Sequence, residues 1–259
     1  MKKPWTYGSP KKIAWLIGIP IGELKAIAAN TEKFYRPFIK EPEGKKARLI
    51  DQPVGRLKEI QGRLNVMILK KQLLPACLVG GVSGRDPLDH PRLHVGKKVV
   101  VTADVKDCYP SITNAQVFRI WRDRIKCSPD VANLLTKLTT RQGHLPLGAP
   151  TSTPLGNLVL EPTAVQIERL LQQYQMDFSQ FIDDSAISGQ TLQDSTITEV
   201  IRIFSRHGFR VGREKVKVMR SGKSQHVTGK AVNQKLVLPM KKRKRITAAL
   251  HELSMLRPE

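Results

Sequence analysis

The chain has 259 residues, 40% of them hydrophobic and 25% charged, so it can bury a sizeable core and wholesale disorder is excluded. Its 44 Lys and Arg against 22 Asp and Glu leave a net charge of +22, an excess whose self-repulsion calls for a polyanionic partner, either nucleic acid or an acidic membrane surface. Aromatic residues at 5% argue against a surface built mainly from stacking rings, and three scattered cysteines without a CxxC argue against a disulfide framework or a cysteine–zinc site, which makes the cytoplasm the expected compartment.

Near the start, Lys11-Lys12 and the apolar run Ile13 to Ile21 imitate a secretory signal, but Pro20, Glu23 and Lys25 interrupt it. Nothing in the sequence approaches the ~20 apolar residues of a membrane span, so no membrane partner beyond peripheral attraction is expected. Residues 10–29 read as two short helices around Gly18-Ile19-Pro20, with proline at a helix start. Residues 33–52 read as a hairpin turning at Pro42-Glu43-Gly44, and 55–74 as a helix with an apolar stripe. Residues 80–85 form a glycine-rich loop, and Val99 to Ala103 is the best strand, β-branched and uninterrupted, hence central.

Helical patterns follow at 114–125 and 129–139, then a Gly/Pro-rich loop at 143–154 and a long helix at 155–173. Residues 176–182 and 185–188 read as a hairpin whose turn is Asp183-Asp184, and a helix at 192–207 stops at Gly208. Short strands are expected near 209–219 and 225–232, and a last helix over 240–256 opening on Lys241-Lys242-Arg243-Lys244-Arg245. Strands and helices alternate without regular βαβ spacing, so the fold class is α+β rather than a doubly wound sheet.

The chemistry concentrates in carboxylates. Asp104 ends the best strand, a rigid place from which to project a side chain, and Asp183 and Asp184 occupy a turn between strands. An Asp-Asp turn is ordinarily just solvated turn chemistry. Here Phe181-Ile182 before it and Ala186-Ile187 after it put the pair at an otherwise buried edge. Three converging acids in a basic chain need a cation, and magnesium suits carboxylate oxygens while leaving room for phosphates. Two such ions about 3.5–4 Å apart are the recurring device for in-line displacement at phosphorus.

Asp104-Val105-Lys106-Asp107-Cys108-Tyr109-Pro110-Ser111-Ile112 resembles the first palm motif of bacterial reverse transcriptases. Leu145 to Ser152 resembles their Gly-Ala-Pro-Thr-Ser loop, centred on Gly148, with Asn157-Leu158 following. Phe181-Ile182-Asp183-Asp184 is similar to their aromatic-x-Asp-Asp turn, and Arg48 to Pro53 with Leu57 to Gln61 to their fingers region. Gln225-His226-Val227-Thr228-Gly229 with Val232-Asn233 resembles the Val-Thr-Gly signature of the retron type.

The resemblance implies a right-hand polymerase: N-terminal helices and fingers at 1–98, a palm at 99–235 with a finger insertion at about 113–150, and a short or partial thumb at 236–259. It implies an RNA-directed DNA polymerase that copies a structured noncoding RNA, serving as template and primer, into DNA as an RNA–DNA hybrid, with an effector protein partner in antiphage defence. Asp104, Asp183 and Asp184 would be catalytic and bind two Mg2+ ions, with Mn2+ as a substitute. Arg48, with Lys45 and Lys46, would grip the triphosphate of a dNTP. Tyr109 would lie under its sugar and reject a 2′-hydroxyl, Gly148 would line the nucleotide site, and Lys215 would protonate the pyrophosphate. Val227, Thr228 and Gly229, with Lys241, Lys242, Arg243, Lys244 and Arg245, would contact nucleic acid, the basic run by gripping phosphate rather than reading sequence.

The chain departs from the family pattern in several places. Leu147 stands where the family has Gln, Thr153 where it has Pro, Phe181 where Tyr is commoner, and Asn114-Ala115 lacks the His at 118 of an Asn-Ala-x-x-His signature. Two other functions remain open from sequence. One is another bacterial lineage, defence-associated, diversity-generating or group II intron-like; the other is a catalytically silent RNA-binding protein on a polymerase scaffold.

Overall fold

The computed structural model describes residues 6–41, 47–237, 246–248 and 250. In chain order its elements are α1 (Pro10–Ile17), α2 (Ile21–Ala29), β1 (Tyr35–Lys40), β2 (Arg48–Pro53), α3 (Gly55–Met67), α4 (Asp89–Arg92), β3 (Val99–Asp104), α5 (Cys108–Ser111), α6 (Asn114–Arg119), α7 (Pro129–Thr139), α8 (Ser152–Gln172), β4 (Asp177–Phe181), β5 (Asp184–Gly189), α9 (Asp194–Arg206), β6 (Lys217–Arg220), β7 (His226–Val227) and β8 (Lys230–Ala231). This is the expected α+β class. The turn at Pro42 to Gly44, Lys45 and Lys46, and the basic run Lys241 to Arg245 lie outside the described residues.

Local signals account for the starts of α1, α6 and α7. Ser9 caps α1 with Pro10 in the first turn, and Gly18 closes it at φ 64°, where a Cβ would strain the backbone. Thr113 and Gln116 form a reciprocal capping box on α6, and Ser128 with Pro129 opens α7. After α6, residues Ile120–Arg124 continue as a π-helical turn rather than as the rest of a single helix to 125.

The four-stranded sheet runs β4-β5-β3-β6, every neighbour antiparallel. The apolar run in β3 follows from its interior place. Val99 and Val101 face the main core beneath the helices, while Val100 packs on the other face with Ala186, Val227 and Val232. A strand covered on both sides has no polar side to alternate with. The β7–β8 ribbon supplies that second cover. Its base is fixed by the buried Gln225, whose Nε2 donates to the carbonyls of Lys97 and Met219 (both 3.1 Å).

Four expectations need correction. The helix predicted over 55–74 ends at Met67, with Ile68 leaving helical geometry and Leu69–Lys71 forming a 3-10 turn. The long helix begins at Ser152 rather than 155, because Pro154 sits in its first turn, where a missing N–H costs nothing. Strand structure near 209–219 is confined to β6. Before it Arg213–Lys215 is a 3-10 turn, held by Gly212 donating to the Asp104 carbonyl (3.1 Å) and Lys215 to the Gly212 carbonyl (2.8 Å). The carboxylate hairpin turns one residue earlier than predicted, on Ile182-Asp183, so Asp184 is the first residue of β5.

Candidate active site

Antiparallel pairing sets Asp104 directly opposite Asp184, at the end of the two central strands, and the Val105 amide donates to the Asp183 carbonyl at 2.8 Å. Residues directly opposite project to one face, where like charges are unfavourable. Burial, followed by repulsion from the neighbouring acids, holds Asp183 and Asp184 above the usual carboxylate range. Asp183 is raised, and Asp184 is pushed up to about 6, with Asp183 and Asp104 as its named neighbours. Arg48 and Lys215 pull in the opposite direction on both. Lys215 Nζ stands 2.7 Å from Asp104 Oδ1, and this carboxylate raises the lysine further into its charged form.

The turn itself is strained. Ile182 is β-branched yet has φ 59°, a left-handed conformation favoured by glycine. The surroundings impose it. Gln180 Nε2 donates to the Ile182 carbonyl at 2.8 Å, while Gln180 also pairs through its backbone with Cys77 (2.7 Å) and Val79 (2.9 Å). Gly80 lies against the turn so closely that a Cβ there would meet the Ile182 nitrogen at 2.7 Å. Asn157 Nδ2 in turn holds the Gly80 carbonyl at 2.8 Å.

The remaining expected site residues take distinct places. Tyr109, on α5, rests its ring against Gly156 of α8 and shares a 2.8 Å hydrogen bond between its hydroxyl and that of Thr153; burial first of all pushes its pKa up to about 12. Gly148 has φ 109°, and a Cβ there would come within 2.8 Å of Ile50 Cγ2, so the loop before α8 touches β2 without a side chain between them. Val227 is buried in the second core, leaving Thr228 and Gly229 exposed as the β7–β8 turn at φ 42° and 74°.

Carboxylate oxygens are the donor set a hard divalent ion takes, and Asp104 lies within electrostatic reach of Asp183 and Asp184, whose raised protonation a cation would relieve. The donor chemistry therefore fits magnesium. Among the described residues no three such side chains are drawn together as a ready cage, Asp104 being turned to Lys215.

A family model described as reverse transcriptase (RNA-dependent DNA polymerase) matches residues 39–245. The chain belongs to the reverse transcriptase family. Its curated relatives include the retron Se72 reverse transcriptase of Salmonella heidelberg, 30% identical over 209 residues, covering 78% of this chain and 55% of the relative. The retron Mx65 reverse transcriptase of Myxococcus xanthus is 30% identical over 277 residues, covering 95% and 64%, and the retron Ec86 reverse transcriptase of Escherichia coli is 25% identical over 240 residues, covering 91% and 75%. The chain thus spans 55% and 64% of the first two relatives' length.

Among solved structures, a telomerase from Candida albicans, in complex with a TWJ fragment of telomeric RNA, superposes with TM-score 0.54 at 10% identity, over 85% of this chain and 50% of that one. A foamy viral protease–reverse transcriptase, in complex with double-stranded DNA, gives 0.50 at 16% identity, over 82% and 32%. Both share the right-hand polymerase fold.

This member of the reverse transcriptase family holds its Asp183 turn with Asn157, which the sequence marked only as following the Gly148 loop, and with Gly80 and Gln180, to which the sequence gave no role at the turn. The Gly80-Gly81 pair was the available signal, since adjacent glycines mark either a loop or a close backbone approach. Gln180 gave none, because its role appears only once β4 pairs with the 77–79 segment. Behind the turn lie His90 and His94, the first with its ring centroid 5.8 Å from that of Phe181.

Proposed function

We propose that this chain is the polymerase of a retron, an RNA-directed DNA polymerase that copies a structured noncoding RNA into DNA in the cytoplasm and acts with an effector protein in antiphage defence. The observation that carries the proposal is the placement of Asp104 opposite Asp184 at one sheet end, with Asp183 in the adjoining turn and the charges of Arg48 and Lys215 bearing on Asp183 and Asp184. The family and its retron relatives support the choice over a silent scaffold, which has no reason to keep three mutually repelling acids.

In this reading the three carboxylates hold two divalent ions, magnesium or manganese, which when bound lower the pKa of the primer hydroxyl and neutralise charge on the departing pyrophosphate. The primer hydroxyl oxygen would bond to the α-phosphorus of a dNTP, giving its proton to solvent water, as the bond to the pyrophosphate oxygen breaks. Arg48 balances triphosphate charge. Lys215, kept protonated beside Asp104, supplies the proton the pyrophosphate takes up. Tyr109 forms a floor fixed by Thr153 and Gly156 that a 2′-hydroxyl would strike. Residues 1–98 serve as fingers with N-terminal helices, 99–235 as palm with a finger insertion at about 113–150, and 236–259 as a short or partial thumb, where Lys241 to Arg245 would grip the RNA–DNA hybrid together with Thr228 and Gly229.

Sequencing the nucleic acid that copurifies with the protein tests the reading, and a branched RNA–DNA hybrid is expected. Asp183→Asn should abolish dNTP incorporation while RNA binding persists, since it removes a metal ligand and leaves the basic surface intact. Synthesis at the parental rate by that variant would remove the turn from the chemistry.

A further inference from the structure

The β1–β2 hairpin carries Arg48 but is attached to the rest of the protein only near its base. Along β1 only Tyr35 is buried, and along β2 only Asp51 and Pro53. Arg48 pairs with Lys40 at the far end of the described ladder. What sets the angle of the hairpin must therefore act where Asp51 and Tyr35 sit.

Arg141 acts there. It stands at the end of α7 in a tight turn, its amide donating to the His144 carbonyl (2.9 Å) and its carbonyl accepting in return from the His144 amide (3.0 Å). Gln142 and Gly143 between them have φ 48° and 83°, so the turn is closed and firm. From this base the guanidinium forms an ion pair with Asp51 through one nitrogen and with Glu32 at 3.0 Å through Nε, and lies 5.3 Å from the centroid of the Tyr35 ring. The side chains of Arg141 and Asp51 are 10% and 7% exposed, so this is a buried pair. Gln61 backs it, donating from Nε2 to the Tyr35 hydroxyl at 3.1 Å and to the Leu138 carbonyl at 2.8 Å.

The same segment continues into the loop of Gly148. The Asp51 amide donates to the Leu147 carbonyl at 2.8 Å, and Ile50 fills the space over Gly148. Asp51 thus receives Arg141 on its carboxylate and Leu147 on its amide, both from one connection between α7 and α8.

We propose that Arg141 is a positioning residue for nucleotide binding: by clamping Asp51, Glu32 and Tyr35 it locks the hairpin at the angle that holds Arg48 against the catalytic carboxylates. The inference rests on the polymerase reading above. A buried ion pair is a poor device for stability alone, because two desolvated charges seldom outperform apolar side chains of the same size. It is a good device for direction, and a planar guanidinium serving two carboxylates and a ring has no lysine equivalent. The lever is long enough to matter. Three residues of strand separate Asp51 from Arg48, about 10 Å, so a tilt of about 10° at the clamp moves Arg48 by ~2 Å. Misplacement on that scale is enough to cost a bound reactant its alignment.

The test uses Arg141→Lys and Asp51→Asn in the full chain, singly and together. Each variant should raise the dNTP KM about tenfold, with kcat within about threefold and template–primer affinity unchanged, and the double variant should be no worse than the poorer single one. Spin labels at Lys40→Cys and Lys137→Cys, both exposed positions, report the hairpin angle directly, since Cys77, Cys108 and Cys127 are buried and will not compete for label. The interlabel distance should be narrow in the parent and shifted or broadened in Arg141→Lys. If the distance distribution does not change, or if KM, kcat and template affinity all worsen in step with Tm, Arg141 is not a positioning residue. A parent unable to incorporate dNTPs would overturn the polymerase reading, while the spin-label distance would still decide whether the clamp exists. Should Arg141→Lys fail to fold, Asp51→Asn, which keeps size and hydrogen-bonding capacity, carries the same measurements.

Discussion

Acidification should unfold this protein through two histidines that no sequence motif marks as paired. His90 and His94 are buried on the side of the sheet away from the main core, bonded to serines of the strands that flank the Ile182-Asp183 turn. His90 Nδ1 lies 2.6 Å from Ser179 Oγ, His94 Nε2 lies 2.8 Å from the same oxygen, and His94 Nδ1 lies 2.7 Å from Ser188 Oγ. A neutral imidazole offers one donor and one acceptor, which this network uses, whereas an imidazolium would bring a charge with no carboxylate to receive it. Burial accordingly pushes His90 down to about 4 and His94 to about 3, the latter helped by the neighbouring His90 and Lys97.

The unfolded chain takes up these protons near pH 6.5, the folded chain not until pH 3–4. Between those limits the unfolded state binds more protons, so stability is full above pH 6.5 and falls as pH falls. Near pH 5 almost two protons separate the states, a slope of about 2.5 kcal/mol per pH unit, and the loss from pH 7 to 5 is about 4 kcal/mol. That is a large share of the roughly 5–15 kcal/mol of a typical domain. Asp184, raised to about 6, works in the opposite direction over the same range, so the histidine contribution is best read by difference. Urea denaturation at pH 7, 6 and 5 should show the parent losing stability more steeply than His94→Gln, by about 1.3 kcal/mol per pH unit near pH 5. Parallel slopes would refute the reasoning, since they would mean that His94 accepts a proton in the folded chain without penalty.

Three further outcomes follow from the site. Gly80→Ala should lower kcat tenfold or more and cost about 1–3 kcal/mol of stability, because the new methyl meets backbone at 2.7 Å and displaces the Ile182 turn; an unchanged kcat would show that the turn tolerates the shift. Tyr109→Ala should let rNTPs compete with dNTPs, measured as relative incorporation, and an unaltered preference would reduce Tyr109 to packing against Gly156. Neutralising three residues of Lys241 to Arg245 should shrink the slope of log affinity against log salt by roughly 0.7–0.9 for each phosphate left without its cation, and an unchanged slope would assign the run to solubility.

The sequence read well wherever one physical signal decided the outcome. Central β3 followed from an apolar run that only a doubly covered strand sustains, α1 and α2 from the Gly18-Ile19-Pro20 break between them, and α7 from its helical pattern, whose ends the structure places on local caps. The three acids were legible as a site because strand ends and turns are where rigid projection is available. The register of the catalytic turn was not, because Asp-Asp is the better turn pair by local preference and isoleucine at φ 59° is a poor one. Gln180, Gly80 and Asn157 override that preference from elsewhere in the chain. The Arg141–Asp51 pair was equally hidden, since nothing local to either residue announces a partner that distant in sequence.

The two departures in the loop before α8 acquire a physical meaning in the fold. Leu147 replaces an expected glutamine, yet what the position gives the structure is its carbonyl, which accepts the Asp51 amide at 2.8 Å and which any residue would supply. The link between hairpin and loop therefore survives the substitution, and only a side-chain amide is missing from the loop. Thr153 replaces an expected proline in the first turn of α8, where either residue is tolerated. Its hydroxyl meets that of Tyr109 at 2.8 Å, and its methyl fills the space over Gly81, where an added Cβ would come within 2.4 Å. Threonine thus fixes the aromatic floor by a hydrogen bond that proline cannot make. Both substitutions change side-chain chemistry in the loop before α8 while leaving the backbone contacts and the three carboxylates in place. On the proposed polymerase reading, altered nucleotide affinity or selection, rather than abolished catalysis, is the expected consequence.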